Sequence, residues 1–170
     1  AKGLAPLIEK SKQKYNIEIF GVWHALQGYW GGVNPKGPLS KQYEVIAKQG
    51  LKPCNMKKQE IGLVSKTDIH RFYQDFHASL RQAGVDMVKI DSQSGMQELC
   101  RGGVGYATTM SAYQKAIQAS TQTHFEGNLL HCMSNGQDVA YNMSASVAWR
   151  NSDDFYPNQK HSHAHHMVIN

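Results

Sequence analysis

The chain has 170 residues, 41% of them hydrophobic and 18% charged, with a net charge of +5. That length supports one domain with a real core, and the lack of any long apolar or low-complexity run excludes a chain that crosses a membrane by an apolar helix or stays disordered. The lysines are spread through the first half rather than massed, which argues against a nucleic-acid surface.

In chain order, Pro6 followed by Leu7, Ile8 and Ser11 predicts a first helix running to about residue 14. Residues 17–26, Ile-Glu-Ile-Phe-Gly-Val-Trp-His-Ala-Leu, read as an apolar strand. Residues 27–36 hold three glycines, two aromatics and a proline. They form a loop beyond the strand, where function often resides. Residues 37–64 show no clean period and are expected to be a long excursion with one short helix near 43–48. Residues 67–83 are the clearest helix: Ile69, Phe72, Tyr73, Phe76 and Leu80 fall on one stripe. Thr67 is expected to cap its start and Gly84 to take the left-handed stop.

The stretch Val85-Asp86-Met87-Val88-Lys89-Ile90-Asp91-Ser92-Gln93 follows at once and reads as the central strand. Side chains at i and i+2 share a strand face, so Lys89 and Asp91 point one way while Asp86, Val88 and Ile90 point the other. A lysine and an aspartate on a sheet face need compensation. Either they form a mutual salt bridge, or they belong to a site at the carboxyl-terminal rim of a parallel barrel. A helix at 110–123, a strand at 128–133, a helix or turn at 137–144 and a strand at 146–150 complete the pattern, and the histidine-rich tail opens a further helix. Strands alternating with helices imply a parallel sheet. Two architectures fit: an open doubly wound sheet, or about four units of an eight-stranded (β/α) barrel. No Gly-rich phosphate fingerprint follows the first strand, which weighs against nucleotide binding.

Polar residues gather at the predicted strand ends: Trp23-His24, Lys89 and Asp91, His131-Cys132, and Arg150 to Asp154. Two carboxylates at different strand ends, Asp91 and one of Asp153 or Asp154, could flank a glycosidic bond as nucleophile and acid/base. Spacing alone makes this no more than one option beside ordinary surface solvation. Trp23, Tyr29 and Trp30 among Gly28, Gly31 and Gly32 suit either sugar stacking or a packed loop. Cys54, Cys100 and Cys132 have no metal-ligand spacing. Their odd number favours a reducing, cytoplasmic setting. Cys132 reads as a small buried hydrophobe more than as a nucleophile. His161, His163, His165 and His166 are read as a solvated helix start, since no further zinc ligand or outer-sphere partner is evident. No metal or cofactor is expected. Asn142-Met143-Ser144 forms a sequon of a kind common by chance.

Taken together, these stretches resemble one known group. Val22 to Pro35 is similar to the Trp- and Gly-rich block of the raffinose synthase and seed imbibition protein group, which includes the alkaline α-galactosidases and belongs to glycoside hydrolase family 36. Gly84 to Gln93, Cys132-Met133-Ser134 and Arg150 to Pro157 resemble its three following blocks, in the same order. The resemblance implies a retaining α-galactoside-processing enzyme, hydrolase or galactosyltransferase, on a (β/α) barrel. It implies Asp91 as nucleophile and Lys89, Arg150, Trp23 and Cys132 as sugar-pocket residues. The acid/base would be Asp153, with Asp154 the alternative. The partner is an α-galactoside, with neither nucleic acid nor membrane. Complete members are several times longer, and both ends of this chain read as cuts. Residues 1–170 are therefore expected to be one incomplete barrel unit, the third to sixth strands of the catalytic domain. The rival expectation is an inactive, shortened paralogue acting at most as a carbohydrate-binding or interaction module.

Overall fold

The first helix, α1 (Ala5–Tyr15), opens with Pro6 in its first turn and ends on Asn16 in the left-handed conformation. A computed structural model describes residues 3–51, 58–100, 105–146, 148–150, 154 and 156–169. Strand β1 (Gly21–Ala25) is shorter than the apolar run suggested. The amide of Phe20 is taken by the Asp86 carboxylate at 2.8 Å, while Ile17 and Ile19 remain exposed.

The excursion that follows corrects the sequence reading. A short helix near 43–48 is not formed. Instead, after a turn of 3-10 helix (Pro38–Lys41), strands β2 (Val45–Leu51) and β3 (Lys58–Val64) form an antiparallel pair. Ile61, Leu63 and Val64 are buried, whereas β2 exposes Ala47 and Gln49. Both strands group their polar residues together, Lys48-Gln49 in β2 and Lys58-Gln59-Glu60 in β3, instead of alternating them with apolar ones, which is why no period showed.

Helix α2 (Ile69–Gln82) buries Ile69, Phe72, Tyr73 and His77. It begins two residues later than expected, with Asp68 rather than Thr67 at the N-cap position. Gly84 does take a positive φ of 93°, a conformation a side chain resists. β4 (Met87–Asp91) follows, then a 3-10 turn (Gln93–Gly95) and α3 (Met96–Leu99). α4 (Tyr106–Phe125) starts earlier than the apolar stripe predicted and packs Met110, Tyr113 and Ile117 inward, chiefly against α2. β5 (Leu129–His131), α5 (Gln137–Asn142), the two-residue β6 (Ala148–Trp149) and α6 (Lys160–Ile169) complete the chain.

β1, β4, β5 and β6 form one parallel sheet in that order, and β2 and β3 stand apart. The molecule is thus mixed α/β, with a four-stranded parallel sheet compatible with part of a barrel. Its two faces differ sharply. Val88, Ile90, Leu129 and His131 are wholly buried on the helix-covered face. Lys89, Asp91 and Leu130 on the other face are only partly buried, and Ala148 is exposed. Asp86 closes the opposite end of β4. It pairs with Lys12 at 2.5 Å and Arg81 at 3.3 Å, tying α1 and α2 to the sheet. Burial alone would raise its carboxyl, but Lys12 and the Phe20 amide hold it below the usual range.

A buried histidine pair joins β1 to α2. His24 Nδ1–H donates to the Ala25 carbonyl at 2.9 Å, so His24 Nε2 must accept from His77 Nε2–H at 3.1 Å. That leaves His77 Nδ1 buried without a partner among the described residues. Desolvation pushes both imidazoles down from 6.5, and burial pushes His131 down to about 4. The unfolded chain therefore binds protons below 6.5 that the folded chain refuses. This stability is complete above pH 6.5 and is lost as pH falls from there through the folded value, at about 1.4 kcal/mol per pH unit for each histidine. Urea midpoints of the chain completed to family length should fall between pH 7 and pH 5; a flat or rising midpoint would contradict the neutral assignment.

Candidate active site

The parity read from sequence holds. Trp23 is in register with Lys89, Ala25 with Asp91, and Leu130 with Ala148. Trp23, Lys89, Asp91, Cys132 and Arg150 therefore share the face not covered by helices, with Asp91, Cys132 and Arg150 at the carboxyl ends of β4, β5 and β6. A four-stranded arc leaves this face open, so the residues form a rim rather than an enclosed cavity. A groove of about 460 Å³ does lie between the 28–43 loop and α2, lined by Tyr29, Phe72 and Asp75 among others, but it holds none of these five residues.

Asp91 is not paired with Lys89 as a simple salt bridge would require. Its Oδ2 accepts from the Trp23 indole N–H at 2.9 Å, and its Oδ1 accepts from the Ser92 amide at 2.7 Å. The Cys132 thiol adds a third contact. Burial and this contact raise the thiol above its ordinary value, against the opposing influence of Arg150 and Lys89. A thiol pushed upward stays protonated. Cys100 is likewise a buried free thiol; Cys54 lies outside the described residues.

Arg150 reaches the rim through a backbone bond to His131 O at 2.8 Å. Its Nη1 pairs with Asp154 Oδ1 at 2.5 Å, while its Nε is buried without a partner among the described residues. The two candidate proton donors thus differ: Asp154 is an exposed counter-ion to Arg150, and Asp153 lies outside the described residues. The aromatic loop does reach the site. Trp30 packs on Trp23 with ring centroids 4.9 Å apart, and Tyr29 meets Trp23 edge-on at 5.9 Å. What brings the loop there is its backbone: Val33 N donates to Gly62 O at 3.0 Å and Gly62 N to Gly31 O at 3.1 Å.

Among the described residues no group of three His, Cys, Asp or Glu side chains gathers to hold a metal ion, and no helix is long and apolar enough to cross a membrane. Sequence reasoning passed over one feature beside the site. Gln93, His131 and Gln114 form a fully buried polar chain behind Asp91. Its sequence signals were His131 at a predicted strand end and a glutamine two residues beyond the aspartate; their pairing left none.

Residues 1–169 match the family described as "Raffinose synthase or seed imbibition protein Sip1". The chain is 33% identical, over 98% of its length, to a protein of Arabidopsis thaliana named probable galactinol–sucrose galactosyltransferase 6, of which it covers 23%. It is 30% identical over 75% of its length to the galactinol–sucrose galactosyltransferase of Pisum sativum, covering 17%. Against the stachyose synthase of Pisum sativum it is 26% identical over 91%, covering 20%. The chain thus spans about a fifth of the length of these relatives.

Proposed function

The chain belongs to the raffinose synthase or seed imbibition protein family, and from that premise we propose that the whole protein moves α-galactosyl groups by a retaining double displacement. The sheet is read as part of a (β/α) barrel whose inner face is the uncovered one, with residues 1–170 as a piece of that catalytic domain. A carboxyl-end rim with chemistry on it is where such barrels react. The observation that carries the reading is the posture of Asp91. Two donors, the Trp23 indole and the Ser92 amide, fix its two oxygens separately, while Lys89 shares its strand face and Arg150 interacts with it electrostatically.

In the first step an Asp91 oxygen attacks the anomeric carbon of the galactoside. The bond to the leaving oxygen breaks as a second carboxyl group donates its proton there, and galactose is left esterified to Asp91. In the second step that group, now a base, takes a proton from the acceptor hydroxyl, and the acceptor displaces Asp91 with the original stereochemistry restored. Asp153 is assigned the acid/base role, because Asp154 is already engaged with Arg150. The Arg150 guanidinium and the Lys89 ammonium supply donors for sugar hydroxyls, the Cys132 thiol lines the pocket beside Asp91, and Trp23 with Trp30 offers flat apolar surface for a pyranose face. The relatives' names describe transfer to sugars, so a sugar acceptor rather than water is the favoured reading.

Covalent trapping tests this. A ring-fluorinated α-galactosyl fluoride, which slows the second step, should label a chain completed to family length on the tryptic peptide from Ile90 to Arg101. Label on the peptide from Asn151 to Lys160 instead, or inhibition with no label, would remove Asp91 from the nucleophile role.

A further inference from the structure

We infer that Gln93 is a positioning residue for Asp91, holding the backbone that aims the carboxylate; this rests on the reading of Asp91 as nucleophile. The Ser92 amide can reach back to Asp91 Oδ1 because Ser92 is left-handed, with φ 60° and ψ 23°. That conformation is unfavourable for a non-glycine residue, so something must hold it. The Ser92 side chain does not: its hydroxyl is buried and has no partner among the described residues.

Gln93 is completely buried and its carboxamide is almost fully used. Nε2 donates one N–H to the Ile90 carbonyl and the other to His131 Nδ1, each at 2.9 Å, and Oε1 accepts from Gln114 Nε2 at 2.7 Å. Oε1 also lies 3.1 Å from His131 Nδ1. The Ile90 carbonyl decides the orientation, because a flipped amide would set oxygen against oxygen. With the nearer amide nitrogen donating to it, His131 Nδ1 accepts and the ring carries its proton on Nε2, which is buried without a partner among the described residues. Burial holds its imidazole down to about 4, so the acceptor is neutral above that pH. The clamp spans β4, β5 and α4, and the Ser94 amide adds a bond to Met133 O at 2.8 Å. No part of it lies among the proposed sugar-binding groups. It acts only through the aim of Asp91, and aim matters most when the carboxylate meets the anomeric carbon.

The test uses a chain completed to family length, a nitrophenyl α-galactoside as probe, and kcat counted per site titrated with the trapping reagent. Gln93→Leu should lose about 10- to 100-fold in kcat with KM within about threefold of the parent. Gln93→Glu, nearly isosteric, needs a proton to donate even once. Its kcat should acquire a new loss on the alkaline side that the parent lacks. Gln114→Leu removes only the outer support and should lose about three- to tenfold in kcat, which keeps the inference testable if Gln93→Leu does not fold. Unchanged kcat in Gln93→Glu and Gln114→Leu, or a loss confined to KM, overturns it. Asp91→Gly, with kcat counted per folded chain because the trapping reagent has no carboxylate there to label, separates the two readings: if it turns over normally the nucleophile assignment fails, whereas an inert Asp91→Gly beside normal Gln93 variants sinks only the clamp.

Discussion

Asp91→Gly, in a chain completed to family length, should lose about 10⁴-fold in kcat on a nitrophenyl α-galactoside, and added azide should restore turnover with β-galactosyl azide as product. The size of the loss follows from what the side chain is proposed to do. Without it no covalent intermediate forms, and the Trp23 indole and Ser92 amide that now engage its oxygens are left facing a gap. Azide can enter that gap from the side the carboxylate occupied, which inverts the sugar. The proton donor has the opposite signature. Asp153→Ala should still form the galactosyl ester from a substrate with a good leaving group, and azide should then attack the other face to give α-galactosyl azide. Asp154→Ala should keep kcat within about tenfold and raise KM, because it frees Arg150 rather than removing an acid. An α-azide from Asp154→Ala alone would reverse the assignment, and an Asp91→Gly chain as active as the parent would end the scheme.

Gly62→Ala should destabilise the fold by more than about 3 kcal/mol, while Gly95→Ala changes it by less than about 0.5 kcal/mol. A Cβ on Gly62 would sit 1.7 Å from the Val33 carbonyl oxygen, a backbone atom that no rotamer change can move. At Gly95 the same atom meets nothing within 4 Å, and φ is −70°. The contact at Gly62 is the one that joins the aromatic loop to β3: Val33 N and Gly31 O both bond to Gly62, and Gly32 beside them has φ 66°. Losing it should release Tyr29 and Trp30 from Trp23, so residual folded protein should also show altered tryptophan fluorescence. Thermal midpoints of the two variants would check this, and equal midpoints would show that the close approach of 31–33 to β3 is not a requirement of the fold.

Residues near each other in the chain carried their own structural information. The 85–91 run and the 69–80 stripe were legible because burial of one face writes a period of two or of 3.6 into the sequence. The same parity placed Lys89 and Asp91 together on the face opposite Ile90. Asp86, placed on the same face as Ile90, turned out to be the ion-paired closure of the strand's other end. The β2–β3 pair was missed because its pairing depends on a partner elsewhere in the chain, and Ala47-Lys48-Gln49-Gly50 alternates nothing apolar. Thr67 was taken for a cap by residue type alone, but the chain turns into α2 one residue later.

The amino-acid order alone determined the alternation of strands and helices, the parallel sheet, and the set of polar side chains at the strand ends, since each depends on local periodicity and residue chemistry. Only the tertiary structure decided what those side chains touch. Trp23 and Asp91 are separated by 68 positions, and Gln93 and His131 by 38. Their hydrogen bonds exist because strand register sets neighbouring backbones side by side. Direction and distance between remote polar atoms leave no period in a sequence, and it is those quantities that turn an aspartate at a strand end into an aimed carboxylate.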